Sequence, residues 1–589
     1  MVSYRQFRSN FKYFLFIFIF RLFNACITHT YFQADEFWQS LEPAHLRAFG
    51  YGHLTWEWKF GLRSYAFPLF FEIGYRLCSL LTVVITKLID CLISINLGSS
   101  LIVGLNIFDM SKPLEDQIEY FLVLYIPKLI MVVLATIGEF YTIILSRKLY
   151  LLTLDKQKDM KGQGAYNVMN ITLIFTLSNF FNCFAITRTF INSFEMVLTS
   201  VALYYWDWTQ GKLINSRSYS FSLFVAIFTC LQRPSNGIIW IVLGVCLLIN
   251  LISQKRYQAI VDLGLKIATV FFVAFALNTM IDYYFYRELR FPIFRFIQFN
   301  FTSPLSTFYG ISPWHFHIFQ SVPIVLGYSI PFFTFGMASK LTISSQSYVQ
   351  DPFSVIKFTS IINLLAYSCL LHKEFRFIYA LQPMFTIISV FGYLKFLETF
   401  KMSQTKLFRL LKYVVPAVVI LLSFTICKYH EAGSIDVMKF LHNEARLESV
   451  GFIMPCHSTP WQSYLHRNDI KDLWAITCEP PLHLLVETNA STKLESYMDE
   501  SDILYDNILA FFKENFSNSI FSEPITRSVK GEYNHEWPDI LVVFEHLDDI
   551  FLKNYLHGSE YKEYKRFFNT LSHWDHRREG DIIVYKRNA

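Results

Sequence analysis

The chain has 589 residues, of which 53% are hydrophobic, 18% aromatic and only 17% charged, a balance too apolar for a string of water-soluble domains. Its formal net charge of +5 is small for this length, and lysines and arginines sit at segment ends without forming a basic face, which argues against nucleic acid as a partner. With a mean hydropathy of +0.32, the composition is that of a polytopic membrane protein.

Arg5, Arg8 and Lys12 lead into an apolar run from Phe11 to Ile27. No small-x-small cleavage site precedes the polar stretch that follows, so the run reads as a retained first transmembrane helix with its basic flank in the cytosol. The stretch Thr28–Pro68 then emerges on the luminal side. It carries Asp35, Glu36 and Glu42 with three histidines, three tryptophans and two arginines, in a chain otherwise suited to lipid. Chemistry is expected there first.

Further crossings are expected at 118–145, 168–186, 190–206, 219–232, 236–253, 258–281, 318–338, 353–371, 377–395 and 412–428. The segment 68–97 is apolar but holds Glu72, Arg76, Lys87 and Asp90; it reads as interfacial amphipathic helices, or as one of two extra crossings with 101–108. Eleven or thirteen crossings put the basic loops 147–161, 211–217, 254–256 and 397–412 on the N-terminal, cytosolic side; a single crossing by 68–97 would reverse them all. In that register the loop 28–117, the turns near 190, 233 and 374, the loop 282–317 and everything after about 429 share the luminal face.

The expected division is therefore a membrane-embedded domain over 1–428 and a luminal domain over 429–589, of mixed helix and strand. Clustered β-branched residues make 539–547 and 580–587 its expected strands. Eight cysteines (Cys26, Cys78, Cys91, Cys183, Cys230, Cys246, Cys369, Cys427) fall in or beside apolar segments. Cys456 and Cys478 do not, and in a luminal tail they form either a disulfide or two free thiols. No CxxC pair occurs, so a zinc site is not expected. Sequons stand at Asn170, Asn300, Asn489 and Asn515.

Asp35 and Glu36 diverge by about 100° if helical, so one can face a reacting group as general base while the other orients; the plainer reading is a charged helix start. Trp56, Glu57 and Trp58, with Trp38 and Gln39 nearby, suit a sugar ring stacked on indoles and bonded to an acid, or else an interfacial aromatic belt. Arg188, Asn192 and Glu195 stand at a helix junction where charge is costly; they are site residues, or Arg188 and Glu195 are an ion pair. Trp314 and His315 lie in the loop 282–317, with no carboxylate at ligand spacing to suggest a metal. His372, Lys373 and Arg376 gather cations that suit a phosphate near the membrane surface, or a solvated turn. No Walker loop, Rossmann glycine fingerprint or GxSxG occurs, which disfavours nucleotide-driven chemistry.

Taken together, QADEFWQSLEPAH, FGYGHLTWEWKFGLRSYAFP, TRTFINSFE, QRPS, FYGISPWHFH, HKEFRF, MPCHSTPWQSYLH and CEPP resemble the dolichol-phosphate-mannose-dependent mannosyltransferases of GPI-anchor assembly. The resemblance implies a polytopic α-helical fold of GT-C type in the endoplasmic reticulum membrane, with a luminal cavity. It implies α-1,2 transfer of the third mannose from dolichol-phosphate-mannose to the second mannose of the GPI precursor glycolipid. The same resemblance places the acidic motif on Asp35 and Glu36. An inverting displacement then needs one base, for which Asp35 is the first choice, and cations for the leaving phosphate, with Arg63, His372, Lys373 and Arg376 as candidates. No metal or other cofactor is expected, and the need for protein partners is left open. Ala34 where proline is usual and Ser235 where threonine is usual depart mildly from the pattern. Rival readings are a mannosyltransferase for the fourth GPI mannose or the N-glycan precursor, a lipid or ion transporter, and a non-catalytic subunit.

Overall fold

The computed structural model describes residues 4–94, 112–153, 163–302, 304–339, 349–401, 405–486, 493–517 except 495, 520 and 533–588. Through residue 429 it is helical, as an apolar chain in lipid must be if its backbone is to satisfy itself. The first helix, α1 (Tyr4–Ile27), leads into two short helices, α2 (Glu42–Phe49) and α3 (Trp56–Phe60), and then into α4 (Pro68–Ser94).

After α4 comes α5 (Leu114–Thr153), whose 40 residues extend about 60 Å, twice the thickness of a bilayer core. Added methyls on Gly74 of α4 would meet Ile126 and Ile130 of α5, and Ser79 hydrogen-bonds Glu119, so α4 runs antiparallel along the first half of α5. The outer face of α4 exposes Phe70, Ile73, Leu77, Leu80, Val84 and Leu88 at helical spacing, and over Pro68–Cys91 the helix is long and apolar enough to cross a membrane, where the sequence favoured an interfacial position or one of two extra crossings. Residues 101–108, the partner for a second crossing, lie outside the described residues.

The bundle continues with α6 (Gln163–Leu177), α7 (Phe180–Ala185), α8 (Ile191–Tyr205), α9 (Arg217–Gln232), α10 (Gly237–Ser253) and α11 (Tyr257–Tyr286). It closes with α12 (Ile330–Ala338), α13 (Pro352–Ser368), α14 (Gln382–Phe400) and α15 (Lys406–Tyr429). Every segment expected to cross is helical, yet only 8 described helices are long and apolar enough to span, fewer than the eleven or thirteen expected. The shortfall has a physical cause. Of the eleven expected segments seven are among these eight, the other being α4. Helices α6, α8, α9 and α13 have 15, 15, 16 and 17 residues, and the last three end at buried polar junctions that interrupt the apolar runs. Irregular backbone at such depth is tolerated because protein surrounds it. At the crossing of α12 and α14, Gly336 and Gly392 meet so closely that a Cβ on either would strike the other helix's backbone.

Beyond α15 the chain enters α16 (Gly433–Asn443) and a five-stranded mixed sheet, ordered β2-β1-β3-β5-β4. Its strands are β1 (Ser449–Ile453), β2 (Asp472–Ala475), β3 (Ile540–Phe544), β4 (Tyr561–Thr570) and β5 (Gly580–Arg587). β3 and β5 fall on the two stretches expected as strands. Strand β1 pairs in parallel with β2 and β3, while β5 pairs antiparallel with β3 and β4.

The central strand β3 is buried on both faces, and its alternation assigns each face a partner. Leu541 and Val543 pack with Phe511, Phe512 and Trp537 within the domain. Ile540, Val542 and Phe544 share a core with Phe37, Trp38, Leu41 and Ala44 from the polar stretch, Phe67 and Phe71 beside it, and Leu124 of α5. The stretch Thr28–Pro68 is thus sandwiched between the sheet and the helix bundle.

Candidate active site

Asp35 and Glu36 open the helical segment that runs through a π-turn at Phe37–Leu41 into α2, and the expected divergence of their side chains is realised. Asp35 faces the short helix Phe375–Leu381, where Arg376 Nη1 donates to its Oδ2 at 2.5 Å; the Asp35 side chain remains 25% exposed. Glu36 points the other way, into protein. Its Oε2 accepts from Arg188 Nη1 at 3.1 Å, and Arg188 also holds the Thr30 carbonyl and hydroxyl. Burial pushes the Glu36 carboxyl up in pKa, partly offset by the Arg188 guanidinium.

Arg376 is fixed from its far side by Glu374, with Nε to Oε2 at 2.7 Å and Nη2 to Oε1 at 2.8 Å, a bidentate fork. Glu374 also accepts from Gln33 at 3.2 Å and faces His372 Nε2 at 3.3 Å. Burial alone would raise the Glu374 carboxyl, but Arg376 and His372 hold it far below the usual carboxylate range. Burial would lower His372, and Glu374 more than offsets it, raising the imidazole. His372 Nδ1 lies 3.0 Å from the carbonyl of Gly310, whose φ of +100° shapes the 305–316 loop beside the site.

A second ion pair completes the cluster: Arg63 binds Glu57 Oε1 through Nη2 at 2.7 Å and Nε at 3.2 Å, and Gln39 Nε2 reaches the same oxygen at 3.3 Å. Burial raises the Glu57 carboxyl, Arg63 lowers it, and nearby Asp35 raises it further. Arg63 and Arg376 each feel Asp35, so two guanidiniums, two carboxylates (Glu57 and Glu374) and the His372 imidazole form one charged patch around a quarter-exposed aspartate. Lys373 is not part of it; its Nζ donates to the Ser312 carbonyl at 2.8 Å.

The tryptophans expected to stack on sugar do not. Trp38, Trp56 and Trp58 are 6%, 6% and 1% exposed, so their rings are covered by protein and serve as walls. Trp38 Nε1 donates to the Thr459 carbonyl and Trp58 Nε1 to that of Trp38, while Trp56 packs on Phe299. Trp58 packs on Tyr65 and Phe285, so indoles beside a membrane read alike as platform or core until the distant residues that cover them are known. Trp314 is exposed on the outer side of its loop, with His315 edge-on to it. Asn192 Nδ2 supports the carbonyl of Arg376 at 3.3 Å. Glu195 pairs with Arg233 at 3.5 Å and Asn236 at 3.0 Å, so Arg188 and Glu195 are not each other's partners.

Other contributors had no role assigned to them from sequence, and of the two readings left open for Cys456 and Cys478 the structure takes the disulfide. Glu42 is a clamp: its Oε1 accepts from the backbone of Trp461 and Ser463 and from the Ser463 hydroxyl, tying the stretch to the C-terminal domain. His457, in MPCHSTPW, packs 4.7 Å from Trp38, and its carbonyl accepts from Tyr31. Burial pushes its imidazole down to about 4, with Arg578 and His53 adding to the fall. Cys456 and Cys478 form a disulfide with Cα atoms 5.7 Å apart, which holds His457 at this wall. With both sulfurs so engaged, the trio Cys456, His457 and Cys478, the one grouping at ligand spacing among the described residues, offers no thiolate to a metal. The signal for these residues was the MPCHSTPW motif, whose partner lies over 400 residues upstream.

The profile of the Alg9-like mannosyltransferase family matches residues 12–466. GPI mannosyltransferase 3 of Candida glabrata is 51% identical over 583 residues, 97% of this chain and 95% of the relative. The protein of the same name from Saccharomyces cerevisiae is also 51% identical, over 96% of this chain and 94% of its own, and that of Kluyveromyces lactis is 49% identical over 97% and 98%. Among solved structures, ArnT from Cupriavidus metallidurans bound to undecaprenyl phosphate shares the fold, with a TM-score of 0.53 at 10% identity over 97% of both chains. The fold is accordingly that of a polytopic α-helical membrane protein of GT-C type. The chain belongs to the Alg9-like mannosyltransferase family and is a membrane glycosyltransferase.

Proposed function

We propose that the protein transfers mannose from dolichol-phosphate-mannose to the 2-hydroxyl of the second mannose of a GPI precursor, forming an α-1,2 bond by inversion. The family and the relatives named GPI mannosyltransferase 3, similar over nearly the whole chain, support this reading. The reaction is placed at the luminal face of the endoplasmic reticulum membrane, where the charge register of the loops puts Thr28–Pro68.

One observation carries the mechanism: Asp35 is a partly open carboxylate held in place by a doubly anchored Arg376, whereas Glu36 is closed off by Arg188. Asp35 therefore takes the proton of the acceptor hydroxyl as that oxygen attacks C1 of the donor mannose. The C1–O bond to phosphate breaks, its electron pair leaves with dolichyl phosphate, and no general acid is required because the leaving group departs as an anion. Arg63, Arg376 and His372 are its counter-charges, worth most in a water-poor site. No metal is assigned a role, and activity is expected to survive a chelator.

The decisive test is mannose transfer in microsomes from dolichol-phosphate-mannose to a two-mannose GPI precursor, with wild type and Asp35→Asn at matched expression. Loss in the variant is expected. Transfer to a three-mannose acceptor instead would assign the chain to the fourth mannose, and unimpaired transfer by Asp35→Asn would remove Asp35 as the base.

A further inference from the structure

The last membrane helix, α15, ends at Tyr429, and the loop joining β4 to β5 closes on that exit. The Glu431 amide donates to the Asn569 carbonyl at 2.8 Å, and Thr570 Oγ1 lies 3.1 Å from His430 Nδ1. His573 Nε2 sits 3.2 Å from Glu431 Oε1, and a methyl on Gly433 would press on Asn569 at 2.9 Å. These contacts fix the loop at the level where the chain leaves lipid.

On that loop Leu571 and Trp574 are each 88% exposed, more than any other large apolar side chain among the described residues, including the lipid-facing ones of α11. They are not strays of a loose segment. His573 between them is 9% exposed and tied to Glu431, so the loop is anchored by one side chain and throws its two neighbours outward. Phe568, at the end of β4, and Tyr429, with Lys428 over its ring, are also about half exposed on this side. A tryptophan and a leucine beside the end of a span, with aromatic and basic neighbours, have the composition that settles at a membrane–water interface.

We infer that the β4–β5 loop inserts Leu571 and Trp574 into the bilayer beside the exit of α15 and thereby seats the C-terminal domain on the membrane. The same loop reaches inward as well: Arg577 Nη1 donates to Asp502 Oδ1 at 3.2 Å, and Arg578 Nη2 donates to the Cys456 carbonyl at 3.2 Å. One short segment thus touches lipid at one end and, at the other, the wall that holds His457 near Asp35. It sets the height of that wall above the membrane, independently of which mannose acceptor the site takes.

The test uses the full-length protein in phosphatidylcholine nanodiscs, with p-benzoyl-phenylalanine replacing Trp574, Leu571 or, as control, Lys562. Lys562 is exposed on the far part of β4, about 25 Å away along the strand. On illumination, mass spectrometry should find phosphatidylcholine adducts at 574 and 571 several-fold above those at 562. Equal labelling at all three positions, or peptide adducts in place of lipid at 574 and 571, overturns the inference. Brominated phosphatidylcholine gives an independent reading: it should quench a larger fraction of the fluorescence of wild type than of Trp574→Phe, and equal fractions would overturn the inference as well.

Discussion

Arg376 Nη1 lies 2.5 Å from Asp35 Oδ2 while the other two edges of the same guanidinium are gripped by Glu374. Asp35 and Arg376 are 341 residues apart in sequence, so this carboxylate is oriented by a residue from far along the chain. The relation gives a geometric ground for setting Asp35 apart from Glu36, where the family resemblance had only made it the first choice.

Asp35→Asn should lower kcat by about 1,000-fold or more, because the amide cannot accept the hydroxyl proton. Its melting temperature should stay within a few degrees of wild type. Glu36→Gln should do the reverse, losing about 1–3 kcal/mol of stability as Arg188 is left buried without its counter-charge. Paired transfer assays and thermal melts of the two variants check this; equal kcat losses with unchanged melts would contradict it.

Arg376→Lys keeps the charge but cannot satisfy Glu374 in a fork and reach Asp35 at once. A loss of about 100-fold in kcat with a smaller change in KM is expected. A variant with near wild-type kcat would show that charge alone suffices.

Arg21 and Glu139 form an ion pair inside the bundle, both essentially unexposed, with Asn182 donating to Glu139 at 2.6 Å and Tyr379 to Asn182 at 2.6 Å. Removing one partner, as in Arg21→Met, should cost about 3–5 kcal/mol by stranding a charge in the membrane. The double variant Arg21→Met with Glu139→Leu should recover most of it. Thermal stability in nanodiscs reads both, and a double variant no better than the single one would refute the pairing.

His45 Nε2 and His466 Nδ1 meet at 2.9 Å where α2 joins the C-terminal domain. Burial lowers His45 to about 3 and His466 to about 4, against an ordinary value near 6.5. The unfolded state then binds more protons than the folded one between about pH 4 and 6.5, so stability rises with pH across that window and is lost as pH falls through it. For His45 the loss is on the order of 2–3 kcal/mol. Melting temperatures from pH 7.5 to 5 should fall less steeply in His45→Gln with His466→Gln than in wild type.

Much of the fold was legible from sequence because lipid imposes a simple rule on long apolar runs, and β-branched clusters at 539–547 and 580–587 announced two strands. The span count was not, since helices such as α8 shorten at junctions whose polar residues serve the interior. Asp35 and Arg63 were legible through the family resemblance, and His372 and Arg376 also as cations gathered beside an apolar segment. Glu374 stood in the same HKEFR motif but was read past in favour of its cations, although it is the group that fixes two of them. The indoles Trp38, Trp56 and Trp58 misled because nothing local distinguishes a sugar platform from a wall covered by residues far along the chain, Trp461 for Trp38, Phe299 for Trp56 and Phe285 for Trp58.

The sheet over the polar stretch has a consequence for how the protein is made. Phe37, Trp38 and Leu41 share their core with Phe67, Phe71 and Leu124 and also with residues of β1, β3 and β5, which leave the ribosome last. Until then a nascent chain carries its polar stretch with part of its apolar face uncovered, a species prone to capture by chaperones or to aggregation. Maturation of the Asp35 environment is therefore a post-translational event, and a chain stopped near residue 430 would insert its helices yet never assemble a working centre.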